Sequence, residues 1–153
     1  MTTELHIRPF TPADQRAARA LILAGLGERF GFVDETLNPD LDDITARFLA
    51  HRHAFLIAEQ AGEVVATGGL IFEPEGDVCQ LVRISVRREL RRQGVARAIV
   101  AALLALARER GCQRVWVETH EPWHDAIALY ERMGFSAYAR HDGQVFLALQ
   151  LAG

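Results

Sequence analysis

The sequence is short of several things, and each shortage narrows what the chain can be. It has only two cysteines, Cys79 and Cys112, with neither metal-type nor CxxC spacing. Two reduced thiols in a cytoplasmic protein are the simplest reading. No apolar run approaches the ~20 residues that span a bilayer. Met1 to Arg8 contains no apolar core of a signal peptide. The expectation is a cytoplasmic chain with no membrane partner. The net charge is only −3, too small for a general attraction to nucleic acid or to anionic lipid. There is no internal repeat, low-complexity tract or linker. At 153 residues, one domain over 1–153 with its own core is expected.

Charge is plentiful but unevenly placed. From Gly25 to Arg47, six acids (Glu28, Asp34, Glu35, Asp40, Asp42, Asp43) face two arginines, a local charge of −4. From Arg83 to Arg97, six arginines (Arg83, Arg87, Arg88, Arg91, Arg92, Arg97) face Glu89 alone, a local charge of +5. The first segment suits a cation and the second a polyanion. Arg83 to Arg92 has no aromatic residue, which argues against a nucleic-acid module.

Periodicity and punctuation give the elements. Leu5 to Pro9 alternates as a strand. Thr11-Pro12-Ala13-Asp14 starts a helix, with Thr as N-cap, Pro at N1 and an acid at N3. It is expected to run to about Leu26, with Ala17, Ala18, Leu21, Ile22 and Leu26 inward. Asn38-Pro39-Asp40 begins a second helix to about His51, its apolar face being Leu41, Ile44, Phe48 and Leu49. Strands follow at Ala54 to Gln60 and Glu63 to Phe72, joined at Ala61-Gly62 as a hairpin. Gly68-Gly69 within the second marks a bulge or a close backbone approach. A strand Val78 to Val86 leads to a long helix, Val95 to Arg110, stopped by Gly111. Then come a strand Gln113 to Thr119, a helix Trp123 to Met133, and strands Phe135 to Arg140 and Gln144 to Leu151, joined by Asp142-Gly143.

The junction between Val86 and Val95 is the most informative stretch. A strand, an arginine-rich loop with a glycine, and a helix N-terminus together make an anion site. The first N–H groups of a helix have no intrahelical partner, and the dipole there favours negative charge. Gly94 lets a bulky anion come close to the backbone. A phosphate-bearing ligand is expected here.

That order of elements, with Arg91-x-x-Gly94-x-Ala96 opening the central helix, resembles the GNAT acetyltransferase superfamily. A second signature reinforces it: Ala126-x-x-x-Tyr130-x-x-x-Gly134-Phe135. The resemblance implies an α/β fold, β-α-α-β-β-β-α-β-α-β-β, with a mixed, mostly antiparallel central sheet, splayed in the middle, and helices on both faces. It implies acetyl-CoA as co-substrate and an amine acceptor, either a small molecule or a peptide. Backbone groups of Ile84, Ser85 and Val86 would hold the pantetheine, and the amides of Arg91, Arg92, Gln93, Gly94, Val95 and Ala96 the pyrophosphate. Arg87, Arg88 or Arg92 would meet the ribose phosphate. The C-terminal hairpin offers an edge through which relatives pair, so a homodimer is open.

The chemistry requires an ammonium to lose a proton, a carbonyl to be polarised and a leaving thiolate to be protonated. Tyr130 stands where the family places the thiolate acid. Val86 is the candidate for carbonyl polarisation through its N–H. Position 80, which carries the base in some members, is Gln80. Glu118 is the better base: Val117-Glu118-Thr119, followed by Tyr130, resembles the strand and tyrosine of ribosomal-protein N-terminal acetyltransferases. Trp123 replaces an asparagine common in the family. With Gln80, it leaves a non-catalytic acyl-CoA-binding or regulatory domain as the competing reading. His120-Glu121-Pro122-Trp123-His124 matches the zinc motif H-E-x-x-H, but Pro122 denies the continuous helix that motif needs, so no metal site is expected. Phe30-Gly31-Phe32 either line the acceptor pocket or pack beneath their loop, packing being the simpler expectation.

Overall fold

A computed structural model describes residues 4–31 and 37–151. Its elements in chain order are β1 (His6–Pro9), α1 (Gln15–Phe30), α2 (Ile44–Arg47), β2 (Ala54–Gln60), β3 (Glu63–Phe72), β4 (Val78–Val86), α3 (Val95–Glu109), β5 (Arg114–His120), α4 (His124–Arg132), β6 (Ser136–His141) and β7 (Gln144–Gln150). The seven strands form one sheet in the order β1-β2-β3-β4-β5-β7-β6, and only the β4–β5 pair is parallel. Helices cover both faces. Ile22, Leu41, Ile44, Phe48 and Phe55 form the core under α1 and α2. Ile99, Leu103, Val117, Tyr130 and Leu147 form the core under α3 and α4. The mixed, mostly antiparallel architecture implied by the motifs is the one observed.

Helix α3 shows why the elements form where they do. Its buried residues Val95, Ile99, Val100, Leu103, Leu104 and Ala107 recur at three- and four-residue spacing, one stripe against the sheet. A large-to-small change in that stripe costs roughly 2–5 kcal/mol. Both expected hairpins turn through left-handed pairs, Ala61-Gly62 (φ 53° and 79°) and Asp142-Gly143 (φ 55° and 76°). Positive φ at both central residues matches the twist of the strands they join.

Three local expectations need correction. Helix α1 does not stop near Leu26 but continues to Phe30, where Gly31 caps it in the left-handed region (φ 82°). Glycine inside a helix costs only about 1 kcal/mol, and ion pairs from Glu28 and Arg29 hold the final turn. Within α1, Leu23 is buried and Ala17 is exposed, a shift of the inner stripe. The second helix is broken. A 3-10 turn at Pro39–Leu41, the single turn α2 and a 3-10 turn at Leu49–His51 replace one rod. Asp43 restarts the helix by accepting from the Ala46 N–H at 3.0 Å. The Gln15 side chain bridges the break, donating to the Leu41 carbonyl (2.7 Å) and accepting from the Ile44 N–H (2.9 Å). Leu41, Ile44 and Phe48 are still buried as expected.

The start of α1 is tightly pinned. Thr11 donates through its N–H (2.8 Å) and its hydroxyl (3.0 Å) to Asp14, and Arg8 forks onto the same carboxylate at 2.7 and 2.8 Å. The Arg8 guanidinium, helped by Thr11, holds the buried Asp14 carboxyl down at about 2.

Candidate active site

The site begins where the sheet parts. β4 and β5 pair through only four residues, Val78↔Arg114 to Leu81↔Val117. Beyond them the two strands separate. The cause lies in β4, where Arg83 and Ile84 together oppose the single residue Gly68 on β3, a bulge with Arg83 at φ 54°. The Thr67 hydroxyl donates to the Arg83 carbonyl at 2.8 Å and fixes the bulge. Gly68 gives room here, because a Cβ would come within 2.8 Å of the ends of the Ile84 and Leu103 side chains, which would have to shift. The sequence signal at Gly68-Gly69 therefore reports both readings at once, although the extra residue sits on β4.

After the bulge the strand resumes its alternation. The Arg87 N–H donates to the Val65 carbonyl at 2.8 Å, toward β3. In an antiparallel ladder, neighbouring residues turn their backbone groups to opposite sides. Ser85 therefore faces β3, and the N–H and C=O groups of Ile84 and Val86 face the splay. Helix α1 closes over this strand through Gly25, whose Cβ would lie 3.2 Å from the Ser85 hydroxyl.

The anion loop follows directly. Gly94 is the N-cap of α3 at φ 83°, and Ala98 makes the first helical bond to its carbonyl. The amides of Val95, Ala96 and Arg97 precede any intrahelical partner. No atom stands within 4 Å of a Cβ built on Gly94, so the space above it is open. Glycine is needed here for its left-handed backbone as well as for room.

These parts line one cleft of about 1120 Å³, which also holds Glu118, Tyr130, Arg92 and Arg97. Ile84, Ser85, Val86, Arg91, Gly94, Val95 and Ala96 all line it, as expected. Gln93 does not. Its side-chain amide turns back to the Glu89 carbonyl at 3.1 Å. Arg87 points elsewhere, to Glu63 and the Val64 carbonyl. The two charged segments meet each other across the cleft. Arg91 contacts Glu28 at 2.6 Å and the Val86 carbonyl at 3.3 Å. Arg83 forks onto Asp40 at 2.9 and 2.7 Å and also reaches Asn38. Glu28 and Asp40 are thus engaged by arginines of the same chain. Asp34, Glu35 and Phe32 lie outside the described residues.

Tyr130 is 5% exposed and lines the cleft. Burial raises its pKa well above that of a free phenol, with Arg29 opposing and Asp125 adding to the shift. The group is a fully protonated donor facing the cleft, and a weaker acid than a free phenol. Glu118 is exposed, between buried Val117 and Thr119 on β5. The H-E-x-x-H residues fall on different elements, His120 ending β5 and His124 opening α4.

Of four further cleft residues, the sequence singles out Phe30, His120 and Trp123 without bringing them together, and it gives no sign of Arg29. Arg29, Phe30, His120 and Trp123 stand at one end of the cleft. The Phe30 ring meets His120 at 5.1 Å and Trp123 at 5.4 Å, and His120 meets Trp123 at 4.4 Å. Phe30 therefore lines the pocket and does not pack beneath its loop. His120 was legible in principle, since it follows Glu118 at the two-residue spacing of one strand face. Phe30 was offered as a pocket residue, but packing beneath its loop was preferred because α1 was expected to have ended before it.

Comparison with known proteins agrees with this geometry. Residues 15–135 match the family described as Acetyltransferase (GNAT) family. The human protein N-acetyltransferase 8 is 36% identical over 125 residues, covering 77% of this chain and 52% of its own length. The uncharacterised N-acetyltransferase YjgM of Escherichia coli is 34% identical, over 64% of this chain and 60% of its own length. The chain thus spans about half the length of the curated relatives it matches. An acetyltransferase of the GNAT family from Staphylococcus aureus superposes with a TM-score of 0.89 at 19% identity, covering 97% of this chain and 100% of that one.

Proposed function

This chain belongs to the acetyltransferase (GNAT) family, and from that premise we propose that it transfers an acetyl group from acetyl-CoA to a primary amine by direct attack. The observation that carries this reading is the splay between β4 and β5. It leaves the backbone groups of Ile84 and Val86 facing a cleft whose far wall holds a protonated phenol and whose mouth is a helix N-terminus. A related fold, YncA of Salmonella typhimurium, was solved with acetyl-CoA as its cofactor (TM-score 0.80, 18% identity), which fits the donor chosen here.

In this reading the residues divide the work. Amides of Val95 and Ala96, with Arg91 and Arg92, hold the diphosphate by charge-assisted hydrogen bonds. The strand from Ile84 to Val86 supplies backbone partners for the pantetheine arm, and the Val86 N–H polarises the acetyl carbonyl. Glu118 accepts one proton from the acceptor ammonium. The neutral amine nitrogen then bonds to the acetyl carbon, the carbon–sulfur bond breaks, and Tyr130 donates its proton to the departing thiolate; the nitrogen's second proton leaves through solvent, which reprotonates Tyr130.

The test is thiol release from acetyl-CoA over a panel of amines, for the native protein and for Tyr130→Phe. The expected result is turnover, with kcat lowered on the order of 100-fold in the variant and acetyl-CoA affinity unchanged within twofold. An unaltered kcat would remove Tyr130 from the mechanism. Binding of CoA with no turnover on any amine would favour a non-catalytic acyl-CoA-binding domain.

A further inference from the structure

We propose that the end of the cleft walled by Phe30, His120 and Trp123 is a subsite for the flat apolar body of a primary monoamine, an arylalkylamine being the simplest case; the proposal rests on the acetyl-transfer reading above. Three rings converge there, from two segments far apart in the chain. Phe30 comes from the last turn of α1, His120 from the end of β5, and Trp123 from the residue that caps α4. The Phe30 ring stands edge-on to His120, with an interplanar angle of 82°, and tilts toward Trp123 at 55°. Each lines the same cleft as Tyr130 and Glu118.

These rings are not core. Phe30 remains 45% exposed, among the few large apolar side chains left so open. Its neighbours are fixed, however. Arg29 lies 4.4 Å over the Trp123 ring and forks onto Asp125 at 3.1 and 2.9 Å. The Gln144 side chain contacts His120 Nδ1 at 3.0 Å. A pre-set wall of flat rings, partly wet and beside a reaction cleft, gains most from a flat apolar group that displaces the water.

Charge limits the rest of the acceptor. Asp125 is engaged by Arg29, and just beyond the cleft Glu28 and Asp40 are engaged by Arg91 and Arg83. Among the described residues, Glu118 is the one carboxylate of the cleft lining outside an ion pair. One carboxylate accommodates one ammonium. The further cations of a polyamine or an aminoglycoside would meet arginines that are already present, and like charges in a cleft are unfavourable.

The chain has two tryptophans, so Trp116→Phe leaves Trp123 as the sole reporter in the subsite. In the CoA-loaded variant, phenethylamine should change Trp123 emission saturably. Its Kd should be about tenfold lower than those of n-butylamine and spermidine, the factor one well-packed aromatic contact supplies. Adding Phe30→Ala should abolish that preference while CoA binding stays unchanged. Tighter binding of spermidine, or a preference that survives Phe30→Ala, would overturn the proposal. So would tight binding only of a peptide bearing a free N-terminus. Thiol release with the same amines separates the two readings. Release that is fastest with spermidine sinks the subsite and leaves acetyl transfer standing. Saturable phenethylamine binding without release from any amine sinks acetyl transfer and leaves the subsite. All 17 basic residues are arginine, so acetylation of the enzyme's own lysines adds no background to that assay.

Discussion

The two ends of the cleft are built in different ways. The proposed donor end, Ile84 to Ala96, is one continuous segment whose parts are mainly backbone: strand groups beside the splay, a left-handed glycine and the first amides of α3. The proposed acceptor end is built from side chains of two segments, Phe30 at the end of α1 and Glu118, His120 and Trp123 where β5 leads into α4. A backbone site tolerates most side-chain changes but depends on conformation. A side-chain site is tuned residue by residue while its scaffold stays fixed.

The strongest way to break that contrast is Gly94→Val. A β-branched residue at φ 83° is strained by about 1–2 kcal/mol, and relief means moving the loop. Acetyl-CoA binding measured by calorimetry should weaken roughly tenfold or more, with Trp123 still sensing the amine at the other end. Equal loss at both ends would show that the two are not separately built.

A change outside both ends sharpens the comparison. Asp14→Ala removes the cap of the 3-10 turn leading into α1 and leaves Arg8 unpaired, which should lower stability to urea by about 2 kcal/mol at pH 7. The sign with pH follows from a carboxyl held at about 2 when folded and near 3.9 when unfolded. Its contribution is present above the unfolded value and is lost as pH falls through about 2. The difference between native protein and variant should therefore be flat from pH 5 to 8 and shrink below pH 4. A gap that stayed constant to pH 2 would show that the Arg8–Asp14 pair is not its source.

The smallest expected effect is at Glu28→Gln. The exposed Glu28 carboxylate lies 2.6 Å from Arg91, which lowers its pKa. Freeing Arg91 for phosphate should tighten acetyl-CoA only about two- to threefold, as exposed ion pairs are weak. Weaker binding would mean that Glu28 positions Arg91 for the donor and does not compete for it.

The same division explains what the sequence disclosed. The donor end was legible because it is local: the spacing from Arg91 to Ala96 and the strand before it already contain the geometry. The hairpins were legible because Ala61-Gly62 and Asp142-Gly143 carry their own turn chemistry. The other end was legible only in part: Glu118 stood out on its strand, but two glycines in α1 seemed to end a helix that continues to Phe30. The broken second helix was missed for a related reason. Asp43 can continue or restart a helix, and the Gln15 side chain from another element decides the matter. The acids of that segment were counted correctly, but counting could not show that Asp40 faces Arg83.

The four-residue seam between β4 and β5 has a consequence for mechanics. Among the described residues it is the only strand pairing between the meander β1–β4 and the strands β5–β7, so the sheet is two plates joined along a short weld. A guest seated in the gap would act as a splint, continuing the weld through the backbone of Ile84 and Val86. Amide exchange at those two positions should slow when CoA is added, while exchange in the outer strands stays as it was, because only the joint is being braced.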